Sequence, residues 1–360
     1  MKKILYISPE LLNSPTGGRA KLALLNRDIL REIYGQKYAE YALVSNKISS
    51  IKDFWNALIY GHINGISTST IVKIHDCIEK SRIESVFIDG SNLGGLAKSI
   101  KEKFPEIAVV TFLHNVEAGF FWGNFLYVRK VKALFIFIIN KFAESRAIKF
   151  SDTLICLSQR DSHLLQKTYG RLATHISALA IKEPDKYCCH LGGVPNECFG
   201  IFVGGNFYGN YSGLLWYVKH VAQESKVKIY VIGRGFENYA DKINITGKVE
   251  LIGEVEDLSV WYQAASFVIA PIFVGGGMKT KVAEAMMYGK YTIGTTEAFS
   301  GYEDFVDVVG SVCNKSEEFS SKINEFLCEQ VVIDENKIRS IFDTEYSEFA
   351  AKNRMLKILS

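Results

Sequence analysis

Residues 266–290 read SFVIAPIFVGGGMKTKVAEAMMYGK and contain the clearest fold signal in the chain. The stretch begins with a continuous apolar run of strand length, and from Lys279 onward its apolar residues have helical spacing. Three consecutive glycines, residues 275–277, lie between the two segments. The order strand, glycine-rich loop, helix predicts one β-α unit, with the loop at the strand end where open parallel sheets bind ligands.

The residues after the glycines suggest which ligand this loop takes. Val282, Ala285 and Met286 form the stripe that faces the sheet, whereas Lys281 and Glu284 lie off it. Bare backbone amides and a helix N-terminus suit an anion, a lysine neutralises a phosphate, and a carboxylate accepts hydrogen bonds from ribose hydroxyls. The set fits a nucleoside diphosphate. The alternative is a glycine-rich turn followed by a surface helix with a Lys281–Glu284 pair.

The same alternation of strand and helix runs through both halves of the chain. Predicted strands cover residues 3–8, 41–45, 86–90, 108–114, 153–158, 200–205, 228–233, 249–253, 266–272 and 291–295. Predicted helices include residues 20–34, 93–103, 212–223, 258–265 and 279–288, and one or two helices between 335 and 359. This pattern predicts mostly parallel sheets with helices on both faces.

The length of 360 residues suits two domains. Residues 181–200 contain prolines and a Gly-Gly but no regular period, so we expect a linker there. The predicted domains are residues 1–185 and 186–345, and residues 346–360 form a terminal helix that could pack back on the first domain. Such domains would place the carboxyl edges of both sheets around a common cleft.

Composition favours a soluble globular protein, with 48% hydrophobic and 22% charged residues. The first apolar run ends at a proline, and the run at residues 133–139 is too short to span a bilayer, so we expect a cytoplasmic protein. Seven cysteines without a Cys-x-x-Cys pair indicate reduced thiols and no metal site.

Charge is divided unevenly along the chain. Residues 1–180 carry 24 Lys+Arg against 15 Asp+Glu, a net +9, and the remainder carries 18 against 24, a net −6, which sums to +3. A basic first half suits anionic lipid or a phosphate-bearing substrate, although two domains can also differ in charge for no functional reason.

Residues 120–150 mix aromatic and basic residues, as a membrane-facing surface or a core helix with a basic face would. No basic block with interleaved aromatics indicates nucleic acid.

Residues 253–295 resemble the donor-binding half of retaining GT-B glycosyltransferases of family 4, the group 1 glycosyl transferases. The ED-L segment, the strand ending in AP, the glycine-rich loop, K-x-x-E-A-M and YGK occur in the family's order. The resemblance implies an α/β GT-B fold, in which two Rossmann-like, doubly wound parallel-sheet domains face a central cleft that holds a nucleotide-sugar.

The resemblance also implies roles for individual residues. Glu284 matches the glutamate that binds the donor ribose, and Lys281 is assigned to the phosphate or the departing oxygen. Many members have a sugar-binding glutamate where this chain has Gly276. The implied donor-binding residues are Gly17, Gly18, Gly205, Asn206, Arg234, Glu254, Val255, Gly276, Gly277, Met278, Lys279, Thr280 and Glu284.

In the first half, His114 follows an apolar strand and should lie at the carboxyl edge of the sheet. The sequence HN-x-E resembles the family and implies that His114 contacts the transferred sugar, with Arg19, Asn115 and Glu117 on the acceptor side. A lone histidine is also commonly structural. Asp89 has the same strand-end placement, but an Asp-Gly turn explains it.

The predicted reaction is transfer of a glycosyl group from a nucleotide-sugar to an acceptor hydroxyl, with retention implied by the family. Negative charge developing on the β-phosphate would be stabilised by loop amides, the helix dipole and Lys281, so no metal or cofactor is expected. Family habit implies a glycan or lipid-linked acceptor, inner-membrane contact and a role in bacterial surface polysaccharide or glycolipid assembly.

Two alternatives remain open from the sequence. One is a nucleotide-sugar epimerase or isomerase of GT-B-like fold, which would turn over the nucleotide-sugar without an acceptor. The other is a non-catalytic module that binds a nucleotide-sugar. A dehydrogenase is disfavoured because no dinucleotide fingerprint follows the first strand.

Overall fold

The computed structural model describes residues 2–9, 17–44, 48, 50–184, 194–195, 197–328 and 333–360. The chain divides into two compact units, Met1–Leu179 with Ala351–Ser360, and Ala180–Ala350. Residue 185, where we predicted the domain boundary, lies outside the described residues, as do residues 188–190, the Cys-Cys-His cluster.

The first unit contains a six-stranded parallel sheet in the order β2-β1-β3-β4-β5-β6. Its strands are β1 (Ile4–Ser8), β2 (Tyr38–Ala42), β3 (Ser85–Asp89), β4 (Ala108–Leu113), β5 (Thr153–Cys156) and β6 (His175–Ile176). Its helices are α1 (Gly18–Tyr34), α2 (Ile51–Tyr60), α3 (Thr68–Ser81), α4 (Gly94–Lys103), α5 (Glu117–Val128), α6 (Val131–Phe150) and α7 (Gln159–Tyr169).

The second unit repeats this plan, with a parallel sheet in the order β12-β11-β10-β7-β8-β9. Its strands are β7 (Phe199–Val203), β8 (Lys228–Ile232), β9 (Val249–Gly253), β10 (Phe267–Ala270), β11 (Tyr291–Gly294) and β12 (Gly310–Val312). Its helices are α8 (Tyr208–His220), α9 (Ala240–Ile243), α10 (Leu258–Ala264), α11 (Thr280–Met287), α12 (Val306–Val309), α13 (Ser316–Glu325) and α14 (Glu335–Ile341).

A π-helical turn, Phe342–Tyr346, separates α14 from the terminal helix α15 (Glu348–Leu359). Within the first unit, Lys352 of α15 forms an ion pair with Glu32 of α1. The Arg354 guanidinium also donates to the carbonyl oxygen of Ala178 at 3.0 Å. These two contacts fix most of α15 to the unit that contains the start of the chain.

The predicted α/β fold with two parallel sheets is confirmed, and the central strands match the sequence prediction closely. The strand predicted at residues 41–45 is wrong in register, because β2 is a half-buried edge strand at Tyr38–Ala42 that pairs only with β1. β6 and β12 were missed because two and three residues are too few to show a period.

Helix α8 begins at Tyr208, four residues before the predicted start at 212. The cause is close packing rather than helix propensity. A Cβ atom at Gly213 would lie 1.8 Å from the carbonyl oxygen of Pro271, so only glycine lets α8 lie against the segment that follows β10. Glycines in the first turns weaken the helical pattern in the sequence, although they are required for the packing.

Strand order explains where a ligand site can form in each unit. In the second sheet β7 lies between β8 and β10, so the chain reverses direction across the sheet at the β7–β10 boundary. The corresponding boundary in the first sheet lies between β1 and β3. Loops at the carboxyl ends of such strand pairs diverge and leave a crevice for ligands.

Candidate functional site

The glycine-rich loop after β10 leads into α11, a helix whose residues from Lys281 to Met287 are all buried. The alternative of a surface helix with an exposed Lys281–Glu284 pair is therefore wrong. Lys281 is 6% exposed and Glu284 is 8% exposed, so both charged side chains are enclosed by the protein. Burying charge is costly unless the groups find partners, and the partners of these two residues define the site.

Lys281 lies in a setting without an acidic partner. Its Nζ donates to Asn210 Oδ1 at 2.8 Å and lies 4.0 Å from the centre of the Phe202 ring. In the described part of the chain, no carboxylate oxygen approaches Nζ within ion-pair distance. Burial lowers the pKa of Lys281 to about 7, Glu284 acts in the opposite direction, and Lys279 lowers it further. A bound anion would supply the missing counter-charge.

The Lys281 ammonium reaches the turn at the end of β7. A Cβ atom at Gly204 would lie 2.5 Å from Asn210 Nδ2 and 3.3 Å from Lys281 Nζ, so the turn approaches both groups as only glycine can. The Asn210 amide also donates to the carbonyl oxygen of Gly205 at 2.8 Å. Asn210 therefore joins the β7–α8 turn to the lysine of α11, at the β7–β10 boundary.

Asn210 is a site residue that the sequence did not reveal. We placed the start of α8 at residue 212, so Asn210 fell in a segment predicted as loop. A buried asparagine in the first turn of a helix, directly after a Gly-Gly turn, is the signal that could have identified it. Asn206, which was predicted, is exposed instead and donates from Nδ2 to the carbonyl oxygen of Gly235 at 2.6 Å.

Glu284 is held by an aromatic pair. The Tyr262 hydroxyl donates to Glu284 Oε2 at 3.1 Å, and the Tyr262 ring stacks on Tyr288 with centroids 5.0 Å apart. Burial, together with the Glu284 charge, raises the pKa of Tyr262 well above its usual value, so the phenol keeps its proton and donates to the carboxylate. The carboxylate orientation is therefore determined by a buried neighbour that the sequence did not suggest.

Lys279 differs from Lys281 in having an acidic partner. Its Nζ donates to the carbonyl oxygen of Gly277 at 2.8 Å and to Glu297 Oε1 at 2.8 Å. The Tyr302 hydroxyl donates to the carbonyl oxygen of Lys279 at 2.9 Å. Lys279 thus fixes the conformation of the glycine-rich loop.

The other predicted residues of this loop and of the β9–α10 turn vary in exposure. Gly277 and Met278 are buried, whereas Gly276, Thr280 and Val255 are half-buried.

Arg234 and Glu254 lie at the ends of the neighbouring strands β8 and β9. They form a bidentate ion pair in which Arg234 Nε lies 3.0 Å from Glu254 Oε2, and both side chains are exposed. The backbone N–H of Asn206 donates to the carbonyl oxygen of Arg234 at 2.9 Å, which links this pair to the β7–α8 turn. Because Arg234 is already neutralised, Lys281 is the better candidate for a phosphate.

In the first unit, His114 follows β4 and Asp89 ends β3. Nε2 of His114 forms a very short hydrogen bond with Asp89 Oδ1, and both side chains are buried. Asp89 Oδ2 accepts from the Tyr6 hydroxyl at 2.6 Å and from Asn26 Nδ2 at 3.0 Å. An Asp-Gly turn therefore does not account for Asp89. The adjacency of β3 and β4 with matching strand ends is the signal that could have paired it with His114.

A second cluster of charge surrounds the start of α5. Arg19 of α1 forms an ion pair with Glu117 at 3.0 Å and also donates to Asn92 at 3.1 Å. Glu144, a fully buried residue of α6, accepts from the backbone N–H groups of Glu117 and Ala118 at 2.8 and 3.0 Å. Glu144 thereby caps a helix that has no capping side chain of its own.

The remaining predicted residues of the first unit lie close to these clusters in the chain. Gly17 precedes α1 with a φ of 93°, and Gly18 is the first residue of the helix. Asn115 follows His114 and has a buried Oδ1 atom without a hydrogen-bond partner among the described residues.

The described residues also bear on metal binding and on membrane insertion. No group of three or more His, Cys, Asp or Glu residues in that part of the chain could hold a metal ion. None of the described helices combines the length and the apolar character needed to cross a bilayer.

Comparison with known proteins concerns the family and the fold. Residues 199–329 match the family model described as "Glycosyl transferases group 1". No curated protein matches the sequence significantly.

Three solved structures illustrate the fold. HepE from Anabaena, in complex with UDP, is 15% identical with a TM-score of 0.68 over 99% of both chains. Sucrose-phosphate synthase from Thermosynechococcus elongatus is 12% identical with a TM-score of 0.75, over 100% of this chain and 98% of that one. WaaG, a glycosyltransferase involved in lipopolysaccharide biosynthesis, is 14% identical with a TM-score of 0.66 over 99% of both chains.

At these identities the solved structures show the fold, and the family match covers the unit that contains Lys281 and Glu284. Both parts of the expected resemblance, to the GT-B fold and to the group 1 family, are thereby confirmed. The chain has the two-domain GT-B fold of glycosyltransferases, and residues 199–329, in its second unit, match the group 1 glycosyl transferases.

Proposed function

We propose that this protein transfers a sugar from a nucleoside-diphosphate sugar to a hydroxyl group of an acceptor. The observation that carries the proposal is the buried ammonium of Lys281, which lies beside the β7–α8 turn and contacts Asn210 and Phe202 but no carboxylate of the described residues. A diphosphate at this turn would neutralise the charge. The structure of HepE in complex with UDP-glucose supports a nucleotide-sugar as the ligand of this fold.

The chemistry follows from where charge develops in the reaction. Breaking the bond between the sugar and the diphosphate builds negative charge on the leaving phosphate, and a preorganised cation stabilises that charge as it forms. We assign this role to Lys281, with the N–H groups of Gly277–Thr280 as further donors and Glu284 as the ribose ligand. Retention of configuration at the sugar and independence from metal ions are parts of the same proposal.

Residues of the first unit are proposed to bind the transferred sugar and the acceptor. His114 is assigned to the transferred sugar, and Arg19, Asn115 and Glu117 to the acceptor. Arg19 and Glu117 form an ion pair, and Glu117 is almost fully buried, which suits residues that orient a hydroxyl rather than residues of a solvated surface. We propose a glycan or lipid-linked acceptor in the assembly of a bacterial surface polysaccharide or glycolipid.

A lipid-linked acceptor is supported by one surface of the first unit, which we call the aromatic surface. Helices α2 and α6 meet through Phe54 and Phe135, 5.0 Å between ring centroids, and α5 and α6 meet through Trp122 and Phe137 at 5.1 Å. The exposed large apolar residues on these helices are Ile51, Trp55, Ile59, Tyr60, Trp122, Leu126, Tyr127, Val128, Val131, Phe135 and Phe142.

Exposed basic residues accompany the aromatic surface, namely Lys52, Arg129, Lys130, Lys132 and Lys141. Aromatic and basic side chains exposed together suit the interface of an anionic membrane, where rings enter the headgroup region and cations pair with phosphate. We therefore propose that the protein binds peripherally to the cytoplasmic face of the inner membrane through this surface.

The donor proposal is tested by the thermal unfolding of the purified protein with UDP-, GDP-, ADP- and dTDP-sugars. A ligand at a hundredfold its Kd stabilises the folded state by about 2.7 kcal/mol, so one nucleotide class should raise the unfolding midpoint clearly. The matching free nucleoside, which lacks the diphosphate, is the control and should have little effect. If none of the nucleotide-sugars shifts the midpoint, the donor assignment fails.

A further inference from the structure

The hydrogen bonds around Asp89 determine which nitrogen of His114 carries the proton. Asn26 Nδ2 can only donate, and its partner is Asp89 Oδ2 at 3.0 Å. The Tyr6 hydroxyl, which has one proton, lies 2.6 Å from the same oxygen and 2.7 Å from the carbonyl oxygen of Ala23. Oδ2 is therefore an acceptor, and Oδ1 remains for His114 Nε2.

The charge state of Asp89 is consistent with this arrangement. Burial acts most strongly to raise its pKa, whereas the hydrogen bonds that Tyr6 and Asn26 direct at Oδ2 lower the pKa and favour the ionised carboxylate. Both oxygens of an ionised Asp89 are hydrogen-bond acceptors, so Nε2 of His114 must be the donor in their contact.

The opposite nitrogen of the ring is left for a ligand. His114 Nδ1 is buried and has no hydrogen-bond partner among the described residues, and the His114 side chain is 4% exposed. The ring also packs edge-on against Phe112 at 5.3 Å, which restricts its rotation. A buried nitrogen at a strand end without a partner indicates a position where a ligand donates a hydrogen bond.

We propose that Asp89 is a positioning residue that holds His114 in the Nε2–H form, so that Nδ1 accepts a hydrogen bond from a hydroxyl group of the transferred sugar. The identity of the ligand in this inference rests on the function proposed above. The tautomer of His114 does not rest on it, because the tautomer follows from contacts within the first unit alone. Asp89 itself need not touch the sugar.

The substitution Asp89→Asn tests the inference because asparagine has nearly the shape of aspartate but replaces one acceptor oxygen with an NH₂ donor. Asn26 still donates toward the Oδ2 position, so the new amide oxygen must occupy that position. The new NH₂ group then faces His114 Nε2, which can only accept from it, and the proton moves to Nδ1. The Nδ1 atom changes from an acceptor into a donor.

The direct readout is the ¹⁵N spectrum of histidine-labelled protein at a pH where the imidazoles are neutral. Wild-type His114 should show its unprotonated nitrogen at Nδ1, and Asp89→Asn should show it at Nε2. Signals of the other six of the seven histidines serve as internal references for folding. His114→Gln identifies the signals of His114 by their loss.

Tyr6→Phe is the matched control, since it removes one donor to Oδ2 while the carboxylate and the Asn26 contact remain. It should leave the tautomer unchanged. The inference is overturned if wild-type His114 is protonated at Nδ1 in its neutral form. It is equally overturned if Asp89→Asn gives the wild-type pattern or if Tyr6→Phe exchanges the nitrogens as Asp89→Asn does.

Binding of UDP and UDP-glucose separates this inference from the proposed function. Asp89→Asn should leave the affinity for UDP unchanged and reduce the additional affinity for UDP-glucose by about tenfold, since one hydrogen bond to the sugar is lost. A wild-type protein that bound no nucleotide would end the proposed function. The nitrogen spectra would still decide the role of Asp89.

Discussion

The buried charged side chains of the two units differ in the contacts that they make. In the first unit Asp89 and Glu144 are fully buried, and each accepts hydrogen bonds from several donors of the same unit. In the second unit the buried ammonium of Lys281 has an amide oxygen and an aromatic ring as its neighbours, and none of the carboxylates that the structure describes is in ion-pair contact with it. Both carboxylates of the first unit thus have hydrogen-bond donors within the protein, whereas we propose that an anion completes the surroundings of Lys281.

The difference indicates which property each unit contributes. Groups that are fully paired in the free protein have fixed orientations, as positioning of a sugar or an acceptor requires. A buried cation without a counter-ion lowers the stability of the free protein, and its interaction with a bound phosphate then contributes to the free energy of binding. Four predictions test this contrast, in order of decreasing size.

The largest effect is expected at Glu144. Burial, together with Glu117, raises its pKa from 4.5 to about 7. A carboxyl with a raised folded-state pKa contributes stability that is fully present below about pH 4.5 and is lost as the pH rises through about 7. The free energy of unfolding should therefore fall by on the order of 3 kcal/mol between these limits in the wild type.

Glu144→Gln should remove this part of the pH dependence, because its amide does not titrate. The variant should also be less stable overall, since its NH₂ group faces backbone N–H donors of α5. Denaturant unfolding of both proteins across pH 4–8 measures the two slopes. Equal slopes would show that Glu144 is not the titrating group.

The second prediction concerns Lys281→Met, which removes the charge and keeps the length of the side chain. The affinity for UDP should fall about 100-fold, as expected for the loss of a charge-assisted contact with phosphate. The thermal stability without ligand should rise, because a lysine whose pKa is lowered to about 7 is costly to bury. Calorimetric titration and thermal unfolding measure the two effects.

Lys242→Met on α9 is the matched control, since Lys242 is exposed. It should change neither property. A Lys281→Met protein that bound UDP normally, or that was less stable than the wild type, would remove the contrast between the two units.

The third prediction concerns the exposed lysines that accompany the aromatic surface of the first unit. Lys130→Ala with Lys132→Ala should weaken binding to vesicles that contain anionic lipid by about 30-fold, at about 1 kcal/mol for each cation. Co-sedimentation with anionic and with neutral vesicles measures the effect. Lys73→Ala on α3 is an exposed lysine outside the aromatic surface and serves as the control. Equal binding of wild type and double variant would argue against the membrane contact.

The smallest effect is a pH dependence of nucleotide affinity. The pKa of Lys281 is lowered to about 7 in the free protein, chiefly by burial, and a phosphate against Nζ would raise it. UDP binding should then take up a proton above pH 7, and the affinity should fall about tenfold for each pH unit until the pKa of the complex is reached. Titrations in buffers of different ionisation enthalpy measure the uptake. Affinity that rose with pH would contradict the assignment.

The sequence predicted those parts of the fold in which a local pattern determines the structure. The long apolar runs of β1, β4 and β10 are buried strands, and the helix after the glycines is α11. Short edge strands have no period to detect, and the start of α8 was missed because Gly209 and Gly213 are required by contacts with Val274 and Pro271, residues distant in sequence.

In the candidate site, too, local sequence patterns were predictable and contacts between distant residues were not. Lys281 and His114 could be singled out because each follows a buried strand. Their partners Asn210 and Asp89 are separated from them by 71 and 25 residues, and only the folded sheet brings each pair together. Composition and spacing indicate which residue types a site contains, whereas long-range contacts decide which of them are oriented and which are neutralised.

The capping of α5 by Glu144 has a mechanical consequence. The first turn of α5 is anchored to the middle of α6 by bonds to a carboxylate instead of by its own preceding residue, so the two helices must shift together. The same pair of helices exposes Trp122, Leu126 and Phe135 on the outside and holds Glu117 on the inside. A force applied at the proposed membrane contact of these helices would thus be transmitted to the carboxylate proposed to orient the acceptor.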